Sequence, residues 1–199
     1  MRIIGGRFKG KKIKLPKGVR NVRPTADRVK EAIFNRIEHR FWSRGGLLNC
    51  SVLDLFAGSG ALGIEALSRG AQKVVFVDSS PRQLKAIEDN VAVLGADGRA
   101  AFLCLDLLKG RHVWGRLCKE GPFDIIFADP PYRKRLTNFV LEHVVGLGLL
   151  KEGGLLIIEE ERFKGTEPVR KSTSHPGLFE LEPRVYGRTV IRMWEKRQE

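Results

Sequence analysis

A chain of 199 residues with 42% hydrophobic and 30% charged content is long enough for one sizeable core and has the composition of an ordinary globular protein. No apolar run approaches the length of a membrane span, and Met1-Arg2-Ile3-Ile4-Gly5-Gly6 lacks the apolar centre of a secretion signal, so the expectation is a cytoplasmic protein with no membrane partner. The net charge of +13 is unevenly spread: residues 1–44 hold 14 Lys and Arg against Asp27, Glu31 and Glu38, giving +11, which leaves +2 for residues 45–199.

A basic block on an otherwise balanced chain is the footprint of a polyphosphate partner, because each neutralised phosphate releases condensed counterions. Short charge runs are more often solvated tails. This one is interleaved with Ile3, Ile4, Phe8, Ile13 and Leu15, which reads as folded. Arg2–Ile4 and Lys12–Leu15 are predicted as two short strands of a hairpin joined by a turn rich in Gly and Lys. Arg7, Lys9, Lys11, Lys12 and Lys14, followed by Arg23 and Arg28, are the candidate phosphate contacts. Pro24-Thr25 opens a helix, with Thr25 as its N-cap, in which Val29, Ile33, Ile37 and Phe41 recur every fourth residue. Arg28, Lys30, Arg36 and Arg40 lie off that apolar stripe, on faces that can meet a polyanion. Residues 1–44 are therefore set apart as a basic extension, a candidate polyphosphate-binding hairpin and helix, of a domain that spans 45–199.

From Ser51 onward strands and helices alternate, the pattern of a parallel sheet with crossover helices. Strands are predicted near 51–56, 73–78, 101–105, 123–128 and 154–159, and helices near 60–69, 81–94 and 136–148. The runs Val74-Val75-Phe76-Val77 and Ile125-Ile126-Phe127 suit strands buried on both faces. Residues 107–120 fit helix or loop, and 160–177 read as a surface loop. Phe179–Pro183 and Thr189–Trp194 read as an antiparallel pair turning at Tyr186-Gly187-Arg188. Cys50, Cys104 and Cys118 show no CxxC spacing and the four histidines no metal-ligand spacing, so reduced thiols and no metal are expected.

Asp54-Leu55-Phe56-Ala57-Gly58-Ser59-Gly60-Ala61-Leu62-Gly63 joins the first buried strand to a helix. Its glycines allow the backbone to approach a ligand, and Gly58 to Gly63 also fits GxGxxG, so the loop alone suits S-adenosylmethionine or NAD. Asp54 would repel a pyrophosphate but offset the ammonium and sulfonium of S-adenosylmethionine. Asp78, closing the second strand, can take both hydroxyls of a ribose. Asp106 can accept from an adenine amino group with Leu105 and Leu107 covering the ring, and it can equally be a solvated strand end. Together Asp54, Asp78, Asp106 and Asp129 end four strands at the edge where open α/β sheets bind ligands.

The fourth strand ends in Asp129-Pro130-Pro131-Tyr132. A planar exocyclic amine is a poor nucleophile because its lone pair is delocalised into the ring. A carboxylate and a rigid carbonyl that accept from its N–H groups pull the nitrogen toward a pyramidal geometry, while the aromatic ring stacks on the base. Proline stiffens the carbonyl's direction.

Arg23-Pro24-Thr25-Ala26-Asp27-Arg28-Val29-Lys30-Glu31-Ala32-Ile33-Phe34-Asn35, the glycine loop and Asp129-Pro130-Pro131-Tyr132, in that order, make the chain resemble the bacterial RsmD family. Those proteins are small-subunit (16S) ribosomal RNA guanine-N2 methyltransferases. The resemblance runs from Met1 to about Trp194, and segment 160–177 does not align to it. It implies an α/β, Rossmann-like class I methyltransferase with a mostly parallel seven-stranded sheet, a monomer using S-adenosylmethionine, and a guanine target in a partly or fully assembled small subunit. Carried over, Asp129 and Pro130 hold the amine, with Pro131 and Tyr132 completing the motif and Tyr132 stacking. Gly58, Ser59, Gly60, Asp78 and Asp106 hold the cofactor, with Asp54, Phe56, Ala57, Ser79 and Leu107 beside them. The same strand end serves adenine-N6 methyltransferases on RNA or DNA. A non-catalytic RNA-binding protein and an NAD-dependent oxidoreductase are the readings from other classes.

Overall fold

The structure, a computed structural model, describes residues 1–15, 27–131, 136–162, 175 and 177–197. Thr25, Arg23 and Tyr132, and most of segment 160–177, lie outside the described residues. Two compact units divide the chain at Leu107/Leu108.

In the first unit, helix α1 (Asp27–Phe41) forms where apolar residues recur at helical spacing, and Val29, Ile33, Phe34, Ile37 and Phe41 are all buried. Strands β1 (Ser51–Leu55), β2 (Lys73–Asp78) and β3 (Ala100–Cys104) pair in parallel in the order β3-β2-β1. Helix α2 (Ala61–Ser68) crosses from β1 to β2 and is buried along its whole length; α3 (Pro81–Val93) crosses from β2 to β3. Ser80 caps α3, its Oγ accepting from the Gln83 N–H, and Pro81 occupies the first helical position. Strand β1 stops one residue short of the expected 51–56 because Phe56 takes φ +55°, which a strand cannot accommodate.

In the second unit, β4 (Phe123–Ala128) and β5 (Leu150–Glu161) are parallel, and β8 (Thr189–Lys196) runs antiparallel to β5. Strand β8 in turn pairs with β6 (Leu178–Glu180) and β7 (Arg184–Tyr186). The expected terminal pair is thus three strands, since Glu182 and Pro183 interrupt the segment that precedes the Tyr186–Thr189 turn. Strand β5 runs well beyond the expected 154–159 because it carries partners on both sides. The ambiguous residues 107–120 resolve into single turns around α4 (Arg111–Trp114), and α5 (Thr137–Gly146) packs Phe139 and His143 on the buried Trp114 ring. Among the described residues, seven strands lie on the two ordered runs, as expected of a mostly parallel Rossmann-like sheet, and the short β7 is an eighth.

The N-terminal segment differs most from expectation. In place of two strands it holds a single antiparallel bridge, Arg2 with Lys12, supported by Ile3 N–H to the Lys11 carbonyl and Ile13 N–H to the Met1 carbonyl. Several of its other backbone groups pair with side chains of the helices beneath it, and Arg7 N–H pairs with the Ser68 carbonyl. Ile4 N–H donates to Glu65 Oε2 (2.9 Å), Phe8 N–H to Ser68 Oγ (2.9 Å) and Lys14 N–H to Asn90 Oδ1 (2.9 Å), while Asn90 Nδ2 donates back to the Lys14 carbonyl. Ile3, Phe8 and Ile13 are buried against this floor. Ladder bonds are absent from the turn because Gly6, at φ +69°, brings the backbone against the Ser68 carbonyl, where a Cβ would overlap it.

Candidate functional site

The glycine loop of the first unit is held from below by carboxylates. Asp54, expected to face a ligand's cationic groups, is buried at 4% exposure, and its Oδ2 accepts from the Gly63 N–H at 2.9 Å. Burial pushes its carboxyl up to about 8, against the opposing pull of the Gly63 N–H and with a further push from the Asp78 charge. Gly63 is required here because a Cβ would overlap the Phe76 ring and lie 2.9 Å from Asp54 Oδ2. Asp78 spans the loop and the next helix: its Oδ2 accepts from Gly58 N–H (2.9 Å) and its Oδ1 from Ser80 N–H (2.8 Å). The Gln83 amide, oriented so that both its ends are satisfied, also donates to Oδ2 at 3.1 Å, so it is Oδ1 of the half-buried Asp78 that keeps a further lone pair for a hydroxyl.

The rest of the loop is equally fixed. Ala57 N–H donates to the Val77 carbonyl (2.9 Å), and Gly60 N–H to the Ala57 carbonyl (2.7 Å). A Cβ on Gly60 would lie 2.9 Å from Ile87, whereas one on Gly58 would meet nothing closer than 3.7 Å. A Cβ at Gly58 would thus only touch Gln83 and the Phe56 carbonyl at ordinary contact distance, and the Gln83 amide donates to the Gly58 carbonyl at 3.1 Å. Ser59 is buried and its Oγ donates to Met1 Sδ at 3.9 Å. Asp106 is half-buried after β3; Leu105 and Leu107 are both buried, and Ser79 is exposed. Asp54, Asp78 and Asp106 thus meet at one edge of the three parallel strands, with Phe56 to Gly60 above them.

In the second unit, β4 leads to a half-buried Asp129 whose Oδ1 is shielded from solvent, then a buried Pro130 and an exposed Pro131. Ala128 registers with Ile158 on β5, which sets the buried Glu159 on the strand position beside Asp129. Of the motif, Tyr132 lies outside the described residues.

The cations of the N-terminal segment are exposed at Arg7, Lys9, Lys11, Lys12 and Lys14, as is Arg28 on α1, and Arg23 lies outside the described residues. Arg7 and Lys11 lie over the Phe8 ring at 5.6 and 5.5 Å, which aims two charges from one buried aromatic. Lys30, expected among the polyanion contacts, is instead wholly buried. Its Nζ donates to the Arg2 carbonyl at 2.6 Å and lies 3.6 Å from Asp27 and 3.9 Å from the equally buried Glu65. Burial pulls the ammonium's affinity for its proton down, while Glu65 and Asp27 oppose that pull. Glu65 also takes Arg69 Nε at 2.9 Å, and Arg69 Nη1 reaches Glu38 at 2.7 Å with its guanidinium 4.8 Å from the Phe34 ring. This cluster was missed by sequence reasoning, although a glutamate inside the otherwise small and apolar Ala61–Ser68 is the signal that could have found it.

Comparison with known proteins matches residues 1–195 to the family described as conserved hypothetical protein 95. The chain is 34% identical over 197 residues to the Bacillus subtilis protein named "Putative rRNA methyltransferase YlbH", covering 99% of this chain and 100% of that one. It is 31% identical over 198 residues to "Ribosomal RNA small subunit methyltransferase D" of Escherichia coli, covering 98% and 90%. The solved structure titled "Putative methyltransferase yhhF from Escherichia coli" superposes with a TM-score of 0.76 at 30% identity, covering 100% and 99%.

Proposed function

Because the chain belongs to the conserved hypothetical protein 95 family, the RsmD family, we propose that it transfers a methyl group from S-adenosylmethionine to the exocyclic N2 amine of a guanine in small-subunit ribosomal RNA. The observation that carries the reading is the glycine loop held open over Asp78, in the same chain as an Asp-Pro-Pro-Tyr strand end. The residues present fit the cofactor. Gly58 puts no side chain on the loop, and Asp78 Oδ1 retains acceptor capacity for a ribose hydroxyl. Asp54 stands beneath, where a cationic ligand above the loop favours its ionised form. When bound, the cofactor supplies an electrophilic methyl group.

This chain's own residues prepare the amine. Asp129 accepts from one N–H and the Pro130 carbonyl from the other, turning the nitrogen lone pair out of conjugation, and Tyr132 stacks on the base. Direct displacement needs no covalent intermediate, which leaves Cys50, Cys104 and Cys118 without a chemical role. The base must leave any stack to be reached. The enzyme acts as a cytoplasmic monomer on a partly or fully assembled subunit.

The test is transfer of labelled methyl from S-adenosylmethionine to small-subunit RNA or particles from cells lacking this gene, followed by mapping of the modified nucleotide. A label on guanine N2 supports the proposal; a label on adenine N6, or none, removes it.

A further inference from the structure

The helix α1 that carries Arg28 continues as a cationic surface and ends in an exposed aromatic residue. Its solvent side presents Arg28, His39 and Arg40 exposed and Arg36 partly so, against exposed Glu31 and the partly exposed Asp27 and Glu38, which are paired with Arg2 and Arg69. The single turn that follows, Trp42–Arg44, places Trp42 at 83% exposure. Arg44 stands 5.3 Å over the Phe41 ring on the far side of that tryptophan in sequence, itself exposed. An indole costs apolar surface when left in water. The other two tryptophans of the chain, Trp114 and Trp194, are buried at 0% and 1% exposure.

This surface lies away from the glycine loop. Helix α2 starts beside the loop at Ala61 and runs eight residues, about 12 Å, to Ser68. At that far end Ser68 and Arg69 hold the turn of the N-terminal segment, through Ser68 Oγ to the Gly5 carbonyl (2.6 Å) and Arg7 N–H to the Ser68 carbonyl (2.7 Å). Arg69 also pairs with Glu38, one helical turn before Trp42. The Trp42 turn then feeds, through Leu47 and Cys50, into the start of β1, whereas the glycine loop follows its end, five residues and about 16 Å away. The basic turn at Arg7–Lys11 thus sits at the end of α2 away from the cofactor loop, where Arg69 reaches Glu38, one helical turn before Trp42.

We propose that Trp42 is a second RNA contact, a stacking platform for an unpaired base whose flanking phosphates are taken by Arg40 and Arg44, on the first unit away from its glycine loop. The charge of the surface selects a polyanion, and the bare indole selects one that exposes π-faces, which RNA does and a lipid surface or an acidic peptide does not. The inference rests on the RNA-substrate reading above and adds where that RNA runs: along the first unit, over the edge that carries Trp42.

Tryptophan emission tests it directly, because the buried Trp114 and Trp194 stay constant while Trp42 reports contact. Deproteinised small-subunit RNA is titrated into the wild type, Trp42→Phe and Trp42→Ala, with Tm measured for each. Stacking predicts quenching in the wild type that Trp42→Phe abolishes. It also predicts RNA affinity weakened roughly 5- to 150-fold in Trp42→Ala and largely restored in Trp42→Phe, with the loss read in KM for RNA. Arg40→Gln with Arg44→Gln should lower the salt slope of binding by roughly one to two units. The S-adenosylmethionine-induced rise in Tm should be the same in the wild type and all three variants. Absence of quenching by deproteinised RNA, or equal affinity of Trp42→Ala and wild type, overturns the proposal; a loss confined to assembled particles assigns the patch to a ribosomal protein and overturns it as well. Methyl transfer by the wild type reports separately on the substrate reading, so quenching without transfer would remove that reading and leave this contact standing.

Discussion

Replacing Asp54 by Asn removes a titration that the fold has displaced far from its ordinary range while keeping an acceptor for the Gly63 N–H. The carboxyl stands near 3.8 in the unfolded chain and at about 8 in the folded one, driven up mainly by burial. Between those values the folded state holds a proton that the unfolded state has released. Wild-type stability therefore falls as pH rises through this window, by about 1.4 kcal/mol per pH unit from this group alone, to an upper bound of roughly 5–6 kcal/mol. Other titrations are common to both proteins and cancel in the difference. The stability of Asp54→Asn relative to wild type should therefore climb between pH 5 and 8 and level off above about 8. Urea unfolding of the cofactor-free proteins at unit steps of pH from 5 to 9 measures the difference. A gap that stays constant over that range would refute the assignment of a protonated, buried Asp54.

Gly63→Ala should destabilise the protein by roughly 2–4 kcal/mol in the same unfolding assay, since its Cβ has no space between the Phe76 ring and Asp54. Lys30→Ala leaves Glu65 buried beside Arg69 alone and should cost about 3–5 kcal/mol, a loss that a thermal melt detects as a drop of many degrees. Asp129→Ala should lower methyl transfer to RNA by roughly a hundredfold or more, while the cofactor-induced rise in Tm survives; near-normal turnover would remove Asp129 from the chemistry. Replacing Lys9, Lys11, Lys12 and Lys14 with Gln should reduce the slope of log affinity for RNA against log salt by up to roughly three to four units, and parallel lines of equal slope would take these lysines off the binding surface.

The parallel core was legible because its signals are local. Val74-Val75-Phe76-Val77 and Ile125-Ile126-Phe127 can be satisfied by burial on both faces of a sheet, and an aspartate after each run marks the strand's end. The ends of β2, β4 and α3 were readable to within a residue for the same reason, since Asp78, Pro130 and Ser80-Pro81 punctuate them. The N-terminal segment was not legible, because its backbone groups are satisfied by Glu65, Ser68 and Asn90, more than fifty positions away, and no local pattern announces such a partner. Lys30 was misread for a related reason. Helical spacing shows that it lies off the stripe of every-fourth residues, but not that a second floor of α2 closes over it. Asp54 and Asp78 were visible as strand-end acids, yet which of their lone pairs the protein itself uses is decided by the path of the loop, fixed by Phe56 at φ +55° and by Gly58.

The side-chain anchors of the N-terminal segment have a thermodynamic meaning for its cations. Glu65, Ser68 and Asn90 clamp that segment along two helices, so Arg7 and the four lysines are displayed from a backbone whose conformational entropy is already spent when the chain folds. A disordered basic tail of the same charge would surrender that freedom on meeting RNA and would bind less tightly for it. Preorganisation of this kind also makes the arm selective. Its charges are set at fixed separations, so under the proposed RNA-binding role it would match one arrangement of phosphates better than another and distinguish a folded RNA from an extended one before any base is inspected.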